Sequence, residues 1–336
     1  MDGRISSYSF ALDMISRNTS LQRQMADIQE QLATGVKSQD YKGYGISTQR
    51  LQNARIEVQS IDSYMYNIEV GVSRIKQMTL GIDEIEEQTN KVMQGISILP
   101  QEGDVDYLSL KSLATSTRDI VIDIMKTKIG DDYIFAGSDI QTSPIDNATD
   151  LTSRVKTQVA SWLDGTIDAD TFMNNINGYT DSQIGYSLGV QDASSIYIRA
   201  DDHFEIDYTV KANDAGLKDI LVGLTALSEL NFPDETTDLA DRESFYTVVN
   251  EIYTKVQNGM EELRGMQIKL ASAEGSAGRK LENYKTDKGY LQTTIEDIQA
   301  VDPAEAVVRF QSLQTALEAS FQATSIMSSM SLARLL

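Results

Sequence analysis

Apolar residues recur every third or fourth position along two long stretches of this chain. In the first they fall at Val58, Ile61, Met65, Ile68, Val72, Ile75, Met78, Ile82 and Ile85, then, after Thr89, at Val92, Ile96 and Leu99. Asp, Glu, Gln, Lys and Ser fill the positions between. Such steps put the apolar set on one helix face, so the pattern predicts about 40 residues of helix, roughly 60 Å at 1.5 Å per residue. Pro100 and "EGD" at 102–104 are the expected stop. A shorter stripe, Leu113, Thr117, Ile120 and Ile124, predicts a second helix ending at Gly130.

The C-terminal third repeats the pattern. Phe245, Val249, Ile252 and Val256 lead to Leu263, Met266, Leu270, Ala273 and Ala277, then to Leu291, Ile295 and Ile298. Asp302 followed by Pro303 reads as an N-cap and a first helical position. The last helix then carries Val307, Phe310, Leu313, Leu317, Phe321, Thr324 and Met327 on its stripe. At the other end Leu21, Met25, Ile28 and Leu32 step by four, three and four before Gly35. Narrow seams cannot be buried by one helix, so the two ends predict an antiparallel bundle or coiled coil built from N- and C-terminal segments.

The middle differs. In "SSIYIRADDHFEIDYTVKAND" apolar and polar residues alternate: Ile196, Ile198 and Ala200 share one face, and Phe204, Ile206, Tyr208 and Val210 follow after "DDH". This predicts a hairpin in a small mixed α/β insertion, so the fold class is mainly α with a β-containing head. The chain enters that head through "GDDYIFAGSD" at 130–139, whose Tyr133, Ile134 and Phe135 read as a short packed strand closed by Gly137. The resulting division has three parts. Residues 1–35 with 303–336 form a terminal assembly region, 36–130 with 217–302 a helical rod, and 131–216 an inserted acidic head.

Charge sharpens this division. The net charge is −21, yet residues 1–60 carry seven Lys/Arg against six Asp/Glu and residues 302–336 two against three. The acidity therefore belongs to the middle, while near-neutral apolar ends are suited to packing. An acidic chain disfavours nucleic acid and polybasic membrane contacts. With no cysteine there are no disulfides or thiolate metal sites. No apolar run is long enough to span a membrane, and the N-terminus lacks a cleavable signal pattern.

Candidate chemistry is sparse. The lone histidine, His203, lies in an acidic turn, so a Ser–His pair has one possible base and a Cys–His pair has no thiol. "DGTIDADTF" at 164–172 invites a calcium loop, but counting from Asp164 places Ala169 where glycine is needed and Asn175 where glutamate is needed. No phosphate-binding glycine loop occurs. The triplets at Asn18 and Asn147 fit the glycosylation pattern, which is short enough to arise by chance. Trp162 reads as head core. The expectation is a non-enzymatic chain with no cofactor and no metal.

Four stretches carry a resemblance: "GRIS" (3–6), "QLATGVK" (31–37), "DDYIFAGSDIQTSPI" (131–145) and "LQTALEASFQATSIMSSMSLARLL" (313–336). Together they are similar to flagellin-like axial proteins, and most closely to the flagellar hook–filament junction family, the hook-associated proteins of the FlgL type. The chain departs from that family's pattern at "QDYKGYGIS" (39–47) and at its final "ARLL". The resemblance implies a structural subunit that joins hook to filament, self-associates in a ring or helical layer, and meets other flagellar axial proteins. It also implies passage through the flagellar type III export channel without a cleaved signal, an export chaperone on the C-terminal helix, and an extracellular location. On it the assembly residues are Leu21, Met25, Ile28, Leu32, Val307, Phe310, Leu313, Leu317, Phe321 and Met327, and the head–rod anchor is Tyr133, Ile134, Phe135 and Gly137. A short filament flagellin is the alternative within the family; a cytoplasmic coiled-coil scaffold or an adhesin is the alternative outside it.

Overall fold

The structure is a computed structural model describing residues 2–98, 107–231 and 239–333, with side chains for Ser9, 12–96, 108–231 and 242–326. Leu99 and the expected stop at Pro100 and 102–104 lie outside the described residues. In chain order the elements are α1 (Asp2–Thr34), a 3-10 turn (Tyr41–Ser47), α2 (Thr48–Ile98), α3 (Tyr107–Met125), β1 (Lys128–Ile129) and β2 (Asp132–Tyr133). Then come α4 (Ala148–Leu163), α5 (Ala169–Asn177), α6 (Asp181–Ile184), α7 (Leu188–Asp192), β3 (Tyr197–Arg199), β4 (Glu205–Asp207), α8 (Ala215–Glu229), α9 (Leu239–Gln299) and α10 (Pro303–Ala333). Both described sheets are two-stranded and antiparallel, so the fold is mainly α with a small β insertion. The chain divides into two units, Met1–Asp62 with Tyr284–Leu336, and Ser63–Asn283.

In the larger unit α2 and α9 run antiparallel. Lys76 Nζ reaches Glu274 Oε1 at 3.8 Å, Gln267 Nε2 donates to Asp83 Oδ1 at 2.8 Å, and Arg264 Nε lies 3.4 Å from Glu86 Oε1. As α2 advances, its partner on α9 steps back residue for residue. Ile68, Ile75, Ile82, Thr89 and Ile96 are buried at every seventh position of α2; Val249, Val256, Leu263, Leu270 and Ala277 do the same on α9. A repeat of seven keeps one seam facing the partner as the helices coil about each other. The predicted stripe is this core.

Two helices are placed differently from the sequence reading. On α3 the buried set is Leu110, Ala114, Thr117, Val121 and Met125, while Leu113, Ile120 and Ile124 are half-buried. The helix is packed from two sides. A Cβ at Gly81 of α2 would meet Ile124 at 2.8 Å, and Arg118 donates to Ser228 of α8 at 3.2 Å. The helix also ends at Met125, ahead of Gly130. The second, α8, was not read from the sequence: every residue from Ile220 to Ser228 is buried, with Lys218 and Asp219 in the turn before them forming ion pairs. It approaches α9 backbone to backbone, since a Cβ built at Gly259 would lie 2.8 Å from Gly216 O.

The insertion contains more helix than its sequence suggested. Asn147, Asp168, Thr180 and Ser187 each accept a hydrogen bond from a first-turn backbone N–H of α4 to α7. These are N-caps, which satisfy donors the helix leaves open. Asp164 and Asp168, the residues that invited a calcium loop, accept from Thr166 N and Thr171 N at 2.9 and 2.8 Å. Those hydrogen bonds hold both carboxyls below their ordinary value. Trp162 stacks on Phe172 and Phe245, with ring centroids 5.5 and 6.4 Å away.

The predicted hairpin is present as β3 and β4, in register Ile198 to Ile206. Ile198, Ala200, Ile206, Tyr208 and Val210 are buried; Phe204, expected on the same face, is 45% exposed because it sits in the turn where alternation breaks. The hairpin seats on α2 through Ile198, whose side chain fills the space a Cβ at Gly71 would need.

Beneath α8, Asp181 accepts from Lys218 Nζ at 2.8 Å and from Asn213 Nδ2 at 2.9 Å. Burial pushes its carboxyl up, but those two hydrogen bonds and the Lys218 charge together hold it below the ordinary value. A depressed folded pKa stabilises the fold above the unfolded value, near pH 4, and that contribution is lost as pH falls through the folded value. Urea midpoints measured downward from about pH 4 should fall less steeply for Asp181→Asn than for the parent chain. Parallel slopes would show that the pair contributes no acid sensitivity.

Candidate assembly site at the chain ends

The smaller unit brings the two chain ends together. α1 ends at Thr34, and Gly35 turns with φ +72°, a left-handed conformation that glycine adopts without steric cost. Val36 then pairs with Ala300: Lys37 N donates to Gln299 O at 2.7 Å, and Val301 N to Gly35 O at 2.9 Å. Asp302 caps α10 through Ala304 N at 2.9 Å, as the Asp302 and Pro303 signal predicted. From this clasp α1 and α10 lie against each other, and farther along Ser320 Oγ donates to Asn18 Oδ1 at 2.5 Å.

The seam between them is only partly covered. Ile28 is buried, while Leu21, Met25 and Leu32 are half-buried on α1. On α10 Phe310, Leu313 and Leu317 are half-buried, Val307 is 41% exposed, and Phe321 is 50% exposed. Met327 lies outside the described side chains. Gln24, Asp27, Ile28 and Gln31 face Val308, Arg309, Ser312 and Leu313 across an open groove of about 550 Å³. Sequence reasoning missed Ala306, which is buried in the first turn of α10; its small side chain carries no apolar signal beside Val307. Two helices leave a seam open on its flanks, and half-covered Leu with exposed Val307 and Phe321 favour a further partner.

The anchor residues lie in the other unit. Ile134 and Phe135 are fully buried, and Lys128 Nζ lies 4.3 Å over the ring of half-buried Tyr133. The expected strand is confined to Asp132 and Tyr133; Ile134 and Phe135 follow in a turn. Phe135 packs beside Gly81 of α2, and its carbonyl accepts from Ala212 N at 2.9 Å. Gly137 has φ +65°, and a Cβ there would meet Ala193 at 2.7 Å. The segment is held on one side by β1, whose pairing Ile134 N extends to Thr127 O at 3.1 Å, and on the other by Tyr133 N donating to Ile140 O at 2.8 Å.

Residues 249–336, which include all of α10, match the family model of the bacterial flagellin C-terminal helical region. The chain is flagellin-like through that segment. A solved structure described as a flagellar hook-associated protein from Vibrio parahaemolyticus is 12% identical, with TM-score 0.45, over 75% of this chain and 97% of that one. No curated protein matches. Among the described residues, no helix of the chain is long and apolar enough to cross a membrane.

Proposed function

We propose that the chain is a non-enzymatic structural subunit of the bacterial flagellum, an adapter layer joining hook to filament. The carrying observation is the half-covered seam of α1 and α10, which lies partly within the flagellin-like segment. In this reading residues 1–35 with 303–336 assemble against neighbouring subunits, 36–130 with 217–302 form the rod, and 131–216 an acidic head anchored by Tyr133, Ile134, Phe135 and Gly137. Neighbouring axial proteins flank the layer, an export chaperone covers the C-terminal helix beforehand, and export proceeds without a cleaved signal. A short filament flagellin is the second reading, favoured by the match to a flagellin segment.

Immunogold microscopy of isolated flagella, with antibody to residues 131–216, separates these readings. A single cluster of label between hook and filament is the expected result. Label along the whole filament makes the chain a flagellin, and no label on an accessible epitope removes both.

A further inference from the structure

The hairpin of β3 and β4 is too small to hold itself. Its strands are three residues each, and a two-stranded hairpin is marginal alone. Different chemistry secures its two ends. At the base, Ser194 N donates to Ser138 Oγ at 2.9 Å and Ala212 N to Phe135 O at 2.9 Å, both neutral contacts with the 130–139 segment. At the tip, Asp202 accepts from the Tyr64 hydroxyl of α2 at 2.7 Å, and Asp201 from Lys280 Nζ of α9 at 2.8 Å. Nearer the base, Lys269 Nζ of α9 lies 3.2 Å from Asp207 Oδ2 and donates to Thr209 O at 2.8 Å. With Ile198 seated at Gly71, the hairpin is fastened to both helices. The tip contacts fall within a turn of Ser63 and Asn283, the bounds of the larger unit.

We propose that this hairpin is a strap across α2 and α9, latched at its tip by Asp201 and Asp202 and opened by acid while the two helices stay paired. This goes beyond the assembly reading and does not rest on it. The buried apolar seam between the helices gains no protons, and neither do the backbone contacts at the strap's base. The groups around the latch decide the sign. Asp202 faces Tyr64, Arg199 and His203; Asp201 faces Lys280 and Tyr64; Asp207 faces Thr209 and Lys269. Glu205 lies along the same side of α9, and Asp214 and Glu262 line the hollow beside Lys269. The hydrogen bond from Tyr64 holds Asp202 below the ordinary carboxylate value. Burial pushes Asp207 up, but hydrogen bonds from Thr209 and Lys269 hold it below as well. Depressed folded values stabilise the closed strap above the unfolded value, near pH 4, and that contribution is lost as pH falls through the folded ones. Asp214, pushed up by burial, titrates the other way and works against opening. Partly exposed contacts of this kind are weak singly, so they govern local opening of the strap and not the fold of the unit.

Hydrogen exchange on the full chain, divided by the rates of an unstructured chain at each pH, tests the strap. From about pH 6 to about pH 3, protection of residues 196–210 should fall about tenfold, the equivalent of one pKa unit. Protection of the seam, residues 68–96 and 249–277, should hold over the same range. In a chain carrying Asp201→Asn and Asp202→Asn, which keep an acceptor oxygen and lose the charge, protection of the hairpin should already be low at pH 6 and fall little further. Tyr64→Phe removes one donor and no charge, so it should lower protection at 200–205 and leave the seam unchanged; it decides the matter if the double variant does not fold. Hairpin and seam losing protection together, or a hairpin unchanged at pH 6 in the variants that fold, overturns the strap.

Discussion

A chain carrying Leu317→Asp is expected to fold its larger unit normally and to be absent from assembled flagella. Leu317 is half-buried on α10, one turn before Ser320, whose hydroxyl binds Asn18 of α1. Complete burial of such a leucine is worth about 1.5–3 kcal/mol. A carboxylate in its place must either lose its water unpaired or hold the seam open. The larger unit has its own core from Ile68 to Ala277, so its urea midpoint should not move. Leu317→Met keeps shape and polarity and should incorporate. Normal incorporation of Leu317→Asp, scored by labelling isolated flagella, would sink the assembly role given to this seam.

The second large effect concerns where two backbones touch. A methyl group at Gly259 would lie 2.8 Å from Gly216 O, 2.9 Å from Ile220 Cγ1 and 3.1 Å from Ile220 N, so α8 and α9 must part to admit it. Overpacking of this kind costs about 1–3 kcal/mol, more than the roughly 0.5–1 kcal/mol that alanine gains over glycine in a helix. Gly259→Ala should therefore lower the urea midpoint. Gly265→Ala, on the same helix and in the same unit with no atom within 4 Å of the added carbon, should raise it. Equal midpoints for the two variants would mean that the close approach of α8 is not needed for stability.

What the sequence disclosed follows from how each element meets water. The stripe from Ile61 to Ile96 was legible because one face of α2 is buried and the other solvated, which imposes a repeat. By that logic α8 was invisible: from Ile220 to Ser228 every residue is buried, so that stretch has no solvated face to set a period. The hairpin was read from its alternation, which fails only at Phe204, where the chain turns. Helices α4 to α7 were hidden because Asn147, Asp168, Thr180 and Ser187 read as loop polarity, whereas they cap helices. At the chain ends, apolar spacing singled out Leu21 to Leu32 and Phe310 to Leu317. Spacing carries no information about depth, so it did not distinguish buried Ile28 from exposed Phe321.

The backbone clasp between Val36 and Ala300 has a consequence for how the ends find each other. Two free helices must collide, and their pairing weakens as the solution is diluted. Tethered side by side at one point, α1 and α10 instead meet at an effective concentration on the order of millimolar, fixed by chain geometry. Zippering from that point is then a first-order event, as fast in dilute solution as in a concentrated one.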